Sequence, residues 1–422
     1  MTTNDLENQL NMIIPGSTLA NSFLDSFVTR ANDAVFMKLI RNVHDLEDDE
    51  KGFHPEFTHQ IFGENENIFG YTDLKIKMFY SSAKLERFIA IEYSEKVDTK
   101  ASKGVEADDI LALIKDKIPG EFTSNIDEFS KKLESEFEFK PMGEKLNEFT
   151  TDQKGMKRTF EVYRCTITDP GFIKYHERMQ TWLLWFIDGA SYIDIDDDRW
   201  EFFVLFEKSG IMSNGNGHTN GSSSHSSYHF VGYTSVYRYY AYFDKIRPRI
   251  SQVLILPPFQ RQGLGAQLLE TIYGHYQGQG DVLDITVEDP SDNFVALRDY
   301  VDCKKCLSLK SFQKEYLFKG WCEEMAKEAQ SAFKLNKKQA RRVYEILKLK
   351  HIDRNNPEEY RKYRLEVKNR LNAPFIKMDQ KQETSVEPGV AGKELRMEQL
   401  RQMFQEVEEE YSQTVKKLNL VA

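Results

Sequence analysis

The sequence predicts an α+β protein of two or three domains, and three observations carry that expectation. Between residues 36 and 93, strand-like runs ("AVFMKLI", "LKIKMFY", "RFIAIEY") alternate with turn signals. Near residue 250 a strand, a glycine-containing turn, an apolar helix and a second strand follow within about 40 residues, a length that favours parallel strands joined by a right-handed crossover. From about residue 292 the pattern becomes helical and charged. At 422 residues, 40% hydrophobic and 29% charged, the chain can bury full cores in the ordinary way of soluble globular proteins.

Taken in order, residues 1–29 read as a lead-in. Residues 30–148 read as a small α+β domain whose strands are followed by two helices, "EADDILALIKDKI" and "NIDEFSKKLESEFEF". A second domain, 149–300, opens with the strand "TFEVYRCTI" and a helix dense in large apolar groups, "FIKYHERMQTWLLWFIDGAS". It continues with "WEFFVLFEK", a Gly/Ser/Asn/His-rich loop at 209–227, and the strand "YHFVGYTSVYRYYAYF". The loop carries too little apolar surface to order itself and reads as a flexible hairpin tip, its histidines solvated. "RISQVLILPP", a turn, a helix and "DVLDITVED" complete the domain. Residues 301–372 form a helical domain, 373–393 a Pro/Gly-containing linker, and 394–422 an amphipathic helix. On that last helix Leu400, Phe404, Val407, Tyr411 and Leu418 share one face, for docking on this chain or on a partner.

Composition narrows the function. No apolar run approaches the ~20 residues that cross a bilayer, and "MTTNDLENQLNMIIPG" lacks the basic and apolar regions of a signal peptide. Four cysteines suit a reducing compartment. A net charge of −10 argues against nucleic acid as the main partner and suits a cationic one, or simply keeps the chain soluble. Cys303 and Cys306 form one C-x-x-C with no second pair, so no metal is expected.

The turn Gln260-Arg261-Gln262-Gly263-Leu264-Gly265-Ala266 follows a strand and opens a helix. Its small residues allow close backbone approach, and the unpaired N–H groups of the first helical turn, with the helix dipole, suit a pyrophosphate. A plain tight turn would look the same. The lysine and hydroxyl of a P-loop are missing, and Leu268 stands where a dinucleotide fingerprint needs glycine.

What remains, [Q/R]-x-x-G-x-[G/A], resembles the acetyl-CoA loop of the GNAT acyltransferases, with Gln260, Gly263 and Gly265 in register and Arg261 outside it. The resemblance extends further. "RPRISQVLILPPFQRQGLGAQLLETIY", "DVLDITVEDPSDNFVALRDYVD", "YHERMQTWLLWFIDGASYIDIDDDRW", "FHPEFTHQIFGENENIFGY" and "NKKQARRVYEIL" together resemble the type B histone acetyltransferases over roughly residues 30–370. That resemblance implies a GNAT-type mixed sheet for residues 149–300, with acetyl-CoA as co-substrate. It further implies direct transfer to lysines of the histone H4 N-terminal tail, a WD-repeat histone-binding subunit, and residence in nucleus and cytoplasm. Neither direct nucleic-acid binding nor membrane attachment is expected.

The same resemblance assigns residues. Glu288 becomes the general base; on its own, an acid at a strand end is equally a cap or a solvated charge. The task is real, because only about 0.04% of a lysine of ordinary pKa is neutral at pH 7, worth roughly 4.6 kcal/mol of barrier. Asp289 serves as helper or as the cap of the next helix. Asp188 takes the place of a second carboxylate that is usually a glutamate. Val253, Leu254 and Ile255 resemble the strand that pairs with the pantetheine arm, and their plainer role is core. Residues 260–266 hold the pyrophosphate, and Ser291 touches the cofactor or caps a helix. Glu64 and Glu66 match acids that hold the histone tail, although Asn65 stands where the family has another acid. Tyr237 and Tyr239 match a histone-contacting strand, and periodicity alone makes them a half-buried strand. Two rivals stay open: acetyl transfer to another amine, and a silent histone-binding scaffold.

Overall fold

The computed structural model describes residues 24–100, 102, 104–153, 155–210, 226–381 and 390–421. Most of the expected Ser/Gly loop (211–225), most of the lead-in and the middle of the expected linker lie outside the described residues. The chain divides into two compact units, residues 1–237 with 250–264, and residues 238–249 with 265–422.

In the first unit, β1 (Val35–Ile40) runs parallel to β2 (Lys75–Ser81), which pairs antiparallel with β3 (Arg87–Glu92). Helices α1 (Ile110–Lys117) and α2 (Ile126–Leu133) follow, each started by a side-chain cap, Asp109 and Asn125. Phe129 and Leu133 of α2 close over Ile40, Phe79 and Phe88 to form that sheet's core. The larger sheet contains β4 (Glu144–Gln153), β5 (Met156–Thr166), β6 (Trp200–Gly210), β7 (Ser226–Ala241) and β8 (Lys245–Ile255), neighbours in sequence order. Its first three pairings are antiparallel, and the central strands β6 and β7 are buried along continuous runs, so both of their faces are covered there.

The stretch expected as one apolar helix is broken. Helix α3 (Phe172–Met179) passes through a tighter 3-10 turn at Gln180–Trp182 into a single turn, α4 (Leu183–Phe186). Trp182 and Trp185 are fully buried there, and rings this large decide the local path. The backbone carbonyl of Trp185 then accepts from the N–H groups of Glu56 and Phe57.

The second unit is mainly helical. The β7–β8 hairpin turns at Phe243 and Asp244, both left-handed at φ 55° and 59°. Helix α5 (Leu264–Gln277) is followed by β9 (Thr286–Val287), two residues where "DVLDITVED" promised a full strand. Val282 makes an isolated parallel bridge to Ile246, whereas Ile285 bridges to Leu335, so the segment changes partner and cannot form one ladder. Helices α6 (Asp292–Cys306), α7 (Glu323–Phe333), α8 (Lys337–His351), α9 (Pro357–Lys381) and α10 (Val390–Val421) complete the unit. Helix α9 continues past residue 373, where a linker was expected, to Lys381 and contains Pro374. Helix α10 docks on this chain: Phe404, Tyr411 and Leu418 are buried, and Tyr411 donates to Glu345 (3.0 Å). Glu345 also accepts from Arg341 and Arg370, so a buried carboxylate is satisfied by three helices.

Candidate active site

The loop that follows β8 is held open by its own backbone. The Leu256 N–H still donates to the Val231 carbonyl at 2.9 Å. Pro257 and Pro258 then open a 3-10 turn that ends at Phe259. The Gln260 side chain folds back and donates to the Ile255 carbonyl (2.9 Å). Arg261 and Gly263 are left-handed, at φ 59° and 77°. For Arg261 that conformation costs on the order of 1 kcal/mol, a cost that a shaped loop must offset elsewhere. A Cβ at Gly263 would meet nothing within 4 Å, so the space before this backbone is open. Leu264, almost fully buried, begins α5, with Gly265 and Ala266 in its first turn. Open space, small residues and a helix N-terminus fit a pyrophosphate.

The Gln262 side chain is engaged within the fold. Its Nε2 donates to the Pro258 carbonyl (2.9 Å), and its Oε1 accepts from Arg158 Nη1 (3.1 Å). Gln260 and Gln262 therefore shape the loop with their side chains and offer a ligand their backbone. On β8, Leu254 is buried while Val253 and Ile255 are half-buried, so core and ligand roles fall on alternate faces of one strand.

In the second unit Glu288 directly follows β9, about half exposed. Arg249 Nη1 lies 3.9 Å from its Oε1, and the Arg249 guanidinium stacks 4.4 Å over the Tyr239 ring. Tyr239, Arg249 and Glu288 thus form one contiguous cluster. Asp289 follows in a left-handed turn, φ 31°. It does not cap the next helix: Ser291 does, its hydroxyl accepting from the Phe294 N–H at 3.3 Å. Of the two capping alternatives, the one for Ser291 is the one the structure shows.

The first unit gathers a second carboxylate group. His59 sits in a one-turn helix, His59–Phe62, with Nε2 3.2 Å from Asp188 Oδ1 and Nδ1 3.9 Å from Glu66 Oε1. Asp188 is largely exposed. Glu66 accepts from the Thr58 N–H (2.8 Å) and from Asn32. Burial works to raise its pKa, but those hydrogen bonds hold it below the ordinary carboxylate value. Glu64 is exposed and lies one residue beyond the left-handed Gly63. Tyr237, also in this unit, donates to Asp197 (2.9 Å), packs edge-on to Trp200 and lies under Arg199. The paired guanidinium of Arg199 holds Asp197 far below the usual carboxylate range.

Among the residues that sequence reasoning left without a role, His59, Arg199, Trp200 and Arg249 belong to these clusters. His59 lay inside a recognised segment, and Trp200 becomes legible only once β6 and β7 are paired, since it is the register partner of Tyr237.

The chain was compared with known proteins. Residues 27–188 match the family model described as histone acetyl transferase HAT1 N-terminus, and 298–349 the one described as histone acetyltransferase type B catalytic subunit, C-terminal. The histone acetyltransferase type B catalytic subunit of Mus musculus is 44% identical over 94% of this chain and 95% of its own length. That of Homo sapiens is 43% identical over 94% of each. That of Cryptococcus neoformans is 33% identical over 82% of this chain and 89% of its own. Among solved structures, an aminoglycoside acetyltransferase from a soil metagenomic sample aligns with 33% of this chain and 84% of its own, at 19% identity and a TM-score of 0.23. With identities of 43–44% sustained across nearly the whole length of both partners, the chain belongs to the type B histone acetyltransferase catalytic subunits and is an acetyltransferase acting on histones.

Proposed function

We propose that the chain transfers acetyl from acetyl-CoA directly to lysines of the N-terminal tail of newly made histone H4, with Glu288 as general base. The observation that carries this reading is the cluster in which Glu288, just after β9, lies beside Arg249, which stacks on Tyr239. Acetyl-CoA supplies the activated acyl group. The backbone of 260–266 and the start of α5 receive its pyrophosphate, and the backbone of Val253, Leu254 and Ile255 aligns the pantetheine arm. Glu288 accepts the ammonium proton, directly or through one water, and Arg249 fixes the direction of its carboxylate. Asp289, next in the chain, or Asp188 assists as a second carboxylate.

The exposed acids Glu64 and Asp188, with the constrained Glu66, suit a lysine-rich tail, and Tyr237 and Tyr239 offer aromatic faces to its side chains. The net charge of −10 supports a basic substrate. By the resemblance of the sequence, a WD-repeat histone-binding subunit is the expected partner, and nucleus and cytoplasm are the expected places of activity.

The decisive test is Glu288→Gln, with acetyl-CoA binding and transfer measured together. Cofactor binding stays near normal while transfer at neutral pH falls by about a hundredfold or more, the usual worth of a positioned base. Unchanged turnover removes Glu288 from the mechanism. Equal activity on spermidine and on the H4 tail would instead point to a different amine acceptor.

A further inference from the structure

We infer that Arg158 is a positioning residue that braces the acetyl-CoA loop from behind, through Gln262. The inference rests on the reading of 260–266 as a pyrophosphate loop, and it assigns a role to three side chains outside that loop.

Glu207 on β6 is buried and takes Arg158 in two parallel bonds, Nε to Oε1 and Nη2 to Oε2, both 2.7 Å. The same carboxylate takes Arg41 Nη2. Such a fork is rigid because its two parallel N–H bonds set the plane of the guanidinium by geometry as well as charge. Arg158 still has Nη1 available, and that nitrogen donates to Gln262 Oε1 at 3.1 Å. The other end of the same amide donates to the Pro258 carbonyl. One planar group therefore ties the middle of the loop to its start and to a buried ion pair on β6.

The support is needed. Pro257, Pro258 and Phe259 line one wall of a partly open cleft of about 570 Å³, together with Leu39, Arg41 and Arg158. The loop is thus not backed by close-packed core on that side. Phe259 is the one loop ring driven inward, with Arg41 5.9 Å and Arg158 5.3 Å from its centroid. Arg261 and Gly263 hold left-handed conformations only while the surroundings impose them. Without the Arg158–Gln262 bond, the loop can relax into the cleft and its N–H groups lose a common aim. A preorganised anion cradle then becomes one that must be ordered at each binding event, and affinity falls.

The test compares two acetyl donors on the full chain: acetyl-CoA, which carries the pyrophosphate, and acetyl-pantetheine, which does not. In Arg158→Met the KM for acetyl-CoA rises five- to twentyfold, while kcat and the KM for acetyl-pantetheine change less than twofold. Arg158→Lys keeps a cation opposite Glu207, and so keeps the fold, but one ammonium cannot hold Glu207 and Gln262 together. It shows a similar selective rise. Gln262→Leu removes the far end of the brace, and Arg158→Lys combined with Gln262→Leu is no worse than either alone, because both break one interaction. An equal rise for both donors, or additive effects in the double variant, overturns the brace. If the wild-type chain itself uses both donors with the same KM, the pyrophosphate reading fails instead.

Discussion

His59 stands between two carboxylates of the first unit. Its Nε2 lies 3.2 Å from Asp188 and its Nδ1 3.9 Å from Glu66. Asp188 is largely exposed, and His59 is the partner within reach of its carboxylate. Replacing His59 with Leu frees Asp188 to turn into solvent. The KM for an H4-tail peptide then rises about five- to tenfold, equivalent to roughly 1–1.4 kcal/mol, with the KM for acetyl-CoA unchanged. Peptide kinetics at saturating acetyl-CoA check this, and an unchanged peptide KM removes the His59–Asp188 pair from substrate binding. The acids themselves were visible in the sequence, through the resemblance. Their partners were not: His59 is 129 positions from Asp188 along the chain, and Arg249 is 39 from Glu288. Spacing cannot signal pairs that only tertiary contact creates.

At the scale of elements, the strands were the legible part because alternation survives in the bare sequence. What defeated the reading was competition between partners. The segment 281–289 has the composition of a strand, yet Val282 and Ile285 bridge to different elements, leaving two residues of ladder. The stretch 172–191 has the apolar density of one helix, but its buried tryptophans break it. Strand β7 shows how closely these elements are fitted. The register between β6 and β7 slips by one residue beside Gly232. A Cβ there would stand 2.2 Å from the Leu254 carbonyl oxygen and 2.9 Å from the Ile255 Cα. Those are backbone atoms of the strand read as the pantetheine partner, and they cannot give way without moving it. Gly232→Ala should therefore lower stability by about 1–3 kcal/mol, the usual cost of overpacking. It should also raise the KM for both acetyl-CoA and acetyl-pantetheine, because the shared arm is displaced. Denaturant midpoints and the two-donor kinetics check it. A selective effect on acetyl-CoA alone would place the damage in the loop rather than the strand.

For the whole molecule, folding must keep two histidines of the first unit neutral. His176 packs its ring 4.4 Å from that of Phe202 and 5.8 Å from that of Phe172, and among the described residues neither ring nitrogen has a hydrogen-bond partner. Burial pushes its pKa down from 6.5 to about 4. His229 is pushed to about 4 as well, mainly by burial, although its Nδ1 meets Ser82 Oγ at 2.8 Å. In each case the folded pKa lies below the unfolded one, so between pH 6.5 and 4 the unfolded chain binds more protons. Stability is complete above pH 6.5 and is lost as pH falls through that window, by at most about 3 kcal/mol per histidine. His176→Phe keeps the aromatic packing and removes the titration. Its denaturant midpoint should match or exceed the wild type at pH 7 and exceed it by a wider margin at pH 4.5. An unchanged difference between the two pH values would show that His176 stays neutral, or titrates alike, in both states.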